Sequence, residues 1–148
     1  MASAKLIRAL IVVLALSGCA MPKVKMYDGK RLSAKEEATV SVERGNRLGR
    51  LNIFQVDGAR PVSNFTLAFT KKPASDVYLL PGVHIVGIGI EKRHGLYLMS
   101  AGGCIELTVE AGKTYIAKAK GDEQSVSFWV EPQGTQMPIG EAVECPRL

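Results

Sequence analysis

The stretch DVYLLPGVHIVGIGIE (76–91) decides the fold class. From Val83 to Glu91 it alternates, with Val86, Ile88 and Ile90 pointing one way and Gly87 and Gly89 the other. That two-residue period marks a half-buried strand. Asp76–Leu80 precedes it, and Pro81-Gly82 between them is a turn pair, because proline presets φ and glycine accepts a positive φ. The segment is expected to be a hairpin. Two glycines on one strand face point to a backbone or a bulky side chain lying close over them, or else to slack at a sheet edge.

On either side, short β-type runs alternate with turn residues. Upstream come Ala38–Glu43, a Gly- and Asn-rich turn at 44–49, Arg50–Val56, the turn signal Asp57-Gly58, Phe65–Thr70, and a polar loop over 71–75. Downstream, a loop around His94-Gly95 leads to Cys104–Val109, with Ile105, Leu107 and Val109 on one face and Cys104, Glu106 and Thr108 on the other. Ala111-Gly112-Lys113 turns the chain into Thr114–Lys120. A further turn at 121–124 leads into Ser125–Glu131, with Val126, Phe128 and Val130 inward and Trp129 outward. A short pairing is expected near Glu141–Glu144. No segment after residue 38 has the period of a long amphipathic helix. About seven short strands at this spacing predict an all-β domain, a single antiparallel β-sandwich in preference to a small barrel.

The first 19 residues, MASAKLIRALIVVLALSGC, follow a different rule. Lys5 and Arg8 precede an apolar run from Ala9 to Leu16, which as a helix spans roughly 12 Å. A bilayer core is about 30 Å thick, so the run is too short for a comfortable span. Leu16-Ser17-Gly18-Cys19 then resembles the lipobox of bacterial lipoprotein precursors. The resemblance implies cleavage after Gly18 and lipid (diacylglyceryl, then an acyl chain such as palmitate) on Cys19. Ala20 is not the aspartate that retains lipoproteins in the inner membrane of enteric-type bacteria, so the same resemblance implies the periplasmic face of the outer membrane. The expected organisation is a signal peptide over 1–18, a lipidated cysteine and basic tether over 19–37, and a β domain over 38–148. Within the tether, residues 20–35 hold Lys23, Lys25, Lys30, Arg31 and Lys35 against Asp28 alone. As a flexible linker they would reach roughly 20 Å. Ser33 to Glu36 has the form of a capping box and predicts one helical turn.

Composition limits the function classes. The 148-residue chain has room for one domain, and its 47% hydrophobic and 22% charged residues are globular proportions. Removing Lys5 and Arg8 with the signal leaves 17 basic against 14 acidic residues. That surplus, with no basic helix or aromatic-basic platform, gives no reason to expect nucleic acid. Without Cys19 there remain Cys104 and Cys145, an even pair in a chain bound for an oxidising compartment, and a disulfide is expected to pin the C-terminal tail over the sheet's outer face. No zinc-ligand spacing, metal site or cofactor motif occurs.

Candidate catalytic groups are few. His84 alternates with Val86 and Ile88, and His94 lies in a loop, but there is no Gly-x-Ser-x-Gly elbow and no HExxH. Glu36-Glu37 and Asp122-Glu123 fall in turns, where acids are usually solvated. Gly87-x-Gly89 and Gly102-Gly103 lack the strand and helix flanks of a phosphate loop. Trp129 either joins Tyr97 and Tyr115 in a binding patch or packs under the pinned tail.

The segments YDG (27–29), LLPGVH (79–84) and VEAGKTYIAKA (109–119) are similar to small proteobacterial outer-membrane lipoproteins with Ig- or transthyretin-like domains, a largely uncharacterised group. The resemblance bears on fold. The anchor, the small β fold and the missing catalytic motifs together lead to the expectation of a non-enzymatic envelope protein, anchored through Cys19, that binds another envelope protein or stabilises an assembly. Two alternatives accompany it, an inhibitor of an external enzyme such as lysozyme and an accessory lipoprotein of a secretion system.

Overall fold

A computed structural model describes residues 23–61, 73–122 and 124–148. The signal segment, Cys19 and the expected strand at 65–70 lie outside the described residues. Those described form nine strands in two packed sheets. They are β1 (Lys23–Lys25), β2 (Ala38–Val42), β3 (Arg50–Val56), β4 (Asp76–Leu79), β5 (Gly82–His94), β6 (Tyr97–Val109), β7 (Thr114–Gly121), β8 (Val126–Pro132) and β9 (Glu141–Val143). One sheet has the order β1-β4-β2-β7-β8 and the other β3-β5-β6-β9.

The all-β, two-layer expectation holds, but the purely antiparallel one does not. In the five-stranded sheet β1 runs parallel to β4 and β2 parallel to β7, while the other pairs are antiparallel. The cause is connectivity. The chain leaves this sheet after β2 to make β3, and again after β4 to make β5 and β6, so strands that meet in it are not always sequence neighbours.

The 76–91 segment is the clearest correction. β4 and β5 do not form a hairpin, because β4 already has β1 on one side and β2 on the other. No edge remains for β5, and Pro81-Gly82 instead carries the chain from one sheet to the other. All four residues of β4 are buried, as suits a strand covered on both faces. β5 makes its hairpin with β6, thirteen pairs from Gly82↔Val109 to His94↔Tyr97, closed by Gly95-Leu96. The strand expected at 104–109 thus begins at Tyr97.

The expected tether also enters the fold early. Lys23–Lys25 pairs with β4, and the chain from Tyr27 to Glu37 is tied down by side chains. The buried carboxylate of Glu37 accepts the Tyr27 hydroxyl at 2.7 Å and the Arg31 guanidinium at 3.1 Å. Arg31 in turn lies 4.0 Å from the centre of the Tyr78 ring, a cation–π contact. Ser33 and Glu36 close a turn, with the Ser33 backbone N–H donating to the Glu36 carboxylate.

The core lies between the sheets, where Val40, Val77, Ala117 and Val130 from one meet Ile53, Val86 and Ile88 from the other, all essentially inaccessible. Each such valine or isoleucine side chain stabilises the fold by about 1.5–3 kcal/mol. Gly103 leaves room on this inner side for Phe128, whose ring a Cβ would meet at 3.3 Å.

The outer face of the four-stranded sheet carries the glycines singled out above. A register shift between Ile53 and Gln55 puts a bulge at Phe54. The Phe54 ring then lies over Gly87, Gly89 and Gly102, so a bulky neighbour, not edge slack, accounts for them. Beside it Cys104 and Cys145 are disulfide-bonded with Cα atoms 5.2 Å apart, as expected. Cys104 is nonetheless 2% exposed, because Gln55 covers it and donates its amide to Sγ at 3.1 Å.

Candidate functional site

At one end of the sandwich His84 braces the crossing between sheets. Its Nδ1 lies 2.6 Å from Asp57 Oδ2, and its Nε2 lies 2.8 Å from the Leu80 carbonyl oxygen. Asp57 holds φ +50° in a tight turn with Gly58, and its second carboxylate oxygen accepts the Ile85 N–H at 2.8 Å. An aspartate–histidine pair is two-thirds of a nucleophile-activating triad. Here the third position is a backbone carbonyl, which has no proton to give, so the ring ties the Asp57-Gly58 turn to the β4–β5 crossing. His94 stands exposed beside the β5–β6 turn, on the opposite end of β5.

The remaining candidates do not assemble. Tyr115 is buried, and its hydroxyl accepts the Glu110 N–H at 2.9 Å to close the β6–β7 turn. Tyr97 lies in the other sheet, near the β5–β6 turn. Trp129 is half-buried on the outer face of the five-stranded sheet and donates its indole N–H to Glu131 at 2.7 Å. Lys118, opposite Trp129 in the ladder, pairs with Glu131 at 2.7 Å. The Lys118 ammonium and then the indole hold the Glu131 carboxyl below its ordinary range. The pinned tail lies on the other sheet, so Trp129 neither joins the two tyrosines nor packs beneath it.

Glu36 is engaged by Ser33 and Glu37 by Arg31. Asp122 accepts the backbone N–H groups of Gln124 and Ser125, which lower its carboxyl pKa, while Glu123 lies outside the described residues. Gly102-Gly103 lie within β6. Among the described residues no cluster of three or more His, Cys, Asp or Glu is placed to hold a metal. Among them, too, no helix is long and apolar enough to cross a membrane.

What the fold does assemble is an open groove of about 540 Å³ along the free side of β6, near the same end as His84. β9 pairs only with Cys104, Ile105 and Glu106; Gly140 packs against Leu107, and no described strand covers Thr108 and Val109 on that side. Leu107, Tyr115 and Ile139 line the groove with apolar surface. Around them stand the exposed acids Glu106, Glu110 and Glu141, and the single base Lys113, which pairs with Glu110 at 2.7 Å. Glu106 and Glu141 are directly opposite one another in the β6–β9 ladder. Like charges in that relation destabilise a ladder, and among the described residues no base stands against either. Sequence reasoning missed this groove, whose walls come from β6, the β6–β7 turn and the chain before β9.

These features define a disulfide-bonded, two-sheet β domain with an open strand edge beside an acidic groove. Comparison with protein-family models, with curated proteins and with solved structures finds no match.

Proposed function

We propose that the chain is a lipid-anchored lipoprotein of the bacterial envelope, acylated on Cys19 and held at the periplasmic face of the outer membrane. In this reading the sandwich is not an enzyme but a binding module, and its groove takes a segment of another envelope protein. Support for the anchor comes from Leu16-Ser17-Gly18-Cys19 placed directly after a short apolar run. For the binding role, the observation that carries most weight is the unbalanced Glu106–Glu141 pair beside the uncovered edge of β6. An extended segment added along Thr108–Val109 gains backbone hydrogen bonds, and a basic side chain on it relieves the opposed carboxylates.

Two measurements test the reading. Labelled fatty acid is expected to enter the wild-type protein and not Cys19→Ala, and equal labelling of both refutes the anchor. A photo-crosslinking residue at Thr108, in the groove, is expected to trap one dominant envelope protein in cells. The same residue at Lys118, on the opposite sheet, is expected to trap none. Identical patterns from both positions remove the groove from the reading. The same acids favour a second reading, inhibition of a basic external hydrolase such as lysozyme, which a lysozyme assay with the purified protein decides.

A further inference from the structure

The β5–β6 hairpin outgrows the sandwich. β3 pairs with β5 no further than Arg50↔Glu91, yet the β5–β6 ladder continues through Lys92↔Met99, Arg93↔Leu98 and His94↔Tyr97. With its turn, this ribbon projects roughly 13 Å beyond the last β3 pair. On either side it has no described strand to cover it. Its turn and returning arm present four consecutive apolar residues: Leu96 fully exposed, Tyr97 80%, Leu98 58% and Met99 41%. The outgoing arm presents Lys92, Arg93 and His94. Exposed apolar residues in such a run mark a contact surface. Bases and a tyrosine beside them match a membrane interface, where phosphates meet acyl chains.

Three further observations point to the same occupant. First, β1 is parallel to β4, and the chain descends through β4 before climbing through β5 to the hairpin. The N-terminal end of β1 therefore points toward the hairpin end. Second, Cys19 precedes Lys23 by four residues, which span at most about 14 Å however they are arranged. Third, bases are in excess of acids at this end. Arg50 and Glu91 stand opposite each other in the β3–β5 ladder. Beyond them, Arg44, Arg47, Lys92, Arg93 and Lys120 outnumber Glu43 and Asp122 among the described residues. At the opposite end Lys30, Arg31 and Lys35 are offset by Asp28, Glu36 and Glu37, and the groove adds Glu106, Glu110 and Glu141.

We propose that the β5–β6 hairpin is a second membrane contact, inserting Leu96, Tyr97 and Leu98 into the interface of an anionic phospholipid leaflet while Lys92 and Arg93 engage its phosphates. This rests on the anchoring of Cys19 proposed above. It adds an orientation that the lipid alone does not impose: the hairpin end faces the bilayer and the acidic groove faces away.

The test uses the full processed protein reconstituted in vesicles of phosphatidylethanolamine and phosphatidylglycerol with brominated acyl chains, which quench tryptophan on contact. Trp129, the only tryptophan, lies at the middle of β8 in the other sheet, outside the hairpin, and serves as the internal reference. In Tyr97→Trp the added emission is expected to be quenched at least two-fold and shifted to the blue, with Trp129 of the wild type unquenched. Lys92→Gln with Arg93→Gln is expected to abolish most of that quenching, since each charge at an anionic surface is worth roughly a five-fold change in association. The mass of the N-terminal peptide is read on the same preparation. Acylated Cys19 with no quenching of the introduced indole overturns the hairpin contact and leaves the anchor standing. An unmodified Cys19 removes the anchor, and quenching by added vesicles then decides the hairpin alone. An introduced indole that is shielded from aqueous acrylamide but untouched by bromolipid means that a protein, such as a second copy, covers the ribbon, and that too overturns the proposal.

Discussion

Gly87→Ala tests the packing on which the four-stranded sheet depends. A methyl on Gly87 stands 2.5 Å from Gln55 Cγ and 2.8 Å from the edge of the Phe54 ring, both well inside van der Waals contact. Neither neighbour is free to leave. Gln55 is 1% exposed and its amide rests on Cys104, while Phe54 is fixed by the bulge and by the further contacts it makes over Gly89 and Gly102. Replacing a strand glycine by alanine ordinarily gains about 0.5–1 kcal/mol through reduced backbone freedom. Overpacking of a closed site costs about 1–3 kcal/mol. The clash wins, and the net loss is about 1.5 kcal/mol. With a urea m-value of about 1.5 kcal/mol/M, the unfolding midpoint of the oxidised protein falls by about 1 M at unchanged slope. The same substitution in a Gln55→Ala background is expected to cost about 1 kcal/mol less, because the nearest obstructing atom is gone. A midpoint that stays put or rises in Gly87→Ala refutes the reasoning, and so does strict additivity with Gln55→Ala.

Cys145→Ser removes a crosslink between residues 41 apart, which in the chain-entropy model costs about 4 kcal/mol and lowers the melting temperature by about 10–20 °C. Thermal melts check it: reduction of the wild type reproduces the drop, and a fall of under about 3 °C shows that the bond does little for stability. Glu131 predicts an acid limb. Its folded carboxyl is held below 4.5 by Lys118 and Trp129, so it favours folding above the unfolded value, and that contribution disappears as pH falls through the folded value. Denaturation series between pH 6 and about 3 are expected to show a shallower decline in Glu131→Gln than in the wild type; parallel curves count against the pair.

How much was legible in the sequence depended on whether the cause was local. Val40 with Val42, Val86 with Ile88 and Ile90, and Ile105 with Leu107 and Val109 announced their strands, because side-chain alternation is set within the strand itself. Asp57-Gly58 announced its turn for the same reason. Whether Pro81-Gly82 closes a hairpin or crosses between sheets is decided elsewhere, by β1 and β2 occupying both edges of β4. YLMSAGG (97–103) carries no useful period and is a strand because β5 pairs with it along its whole length. Lys23–Lys25 is too short to read alone and is a strand only beside β4. Gly87 and Gly89 did signal a close neighbour, though nothing local says that a bulge would aim Phe54 at them. The groove was least legible, since its acids come from three separate stretches and only Glu106 showed its outward direction in the alternation of β6.

The proposed anchor and hairpin together explain why the two ends of this domain differ in kind. A lipid on Cys19 alone limits distance but leaves the domain free to turn about its short connection. A second contact at a different point removes much of that freedom, because the protruding ribbon belongs to one sheet and the incoming chain joins the edge of the other. The cost in orientational entropy is met once, on anchoring, so a partner approaching the groove does not have to meet it again. Charge acts in the same direction. Anionic headgroups attract the bases around the hairpin and repel Glu106, Glu110 and Glu141, so the favoured orientation presents the open side of β6 away from the bilayer. Neutralising Lys92 and Arg93 is therefore expected to weaken capture of a partner at the Thr108 crosslinking position, although neither residue lies in the groove.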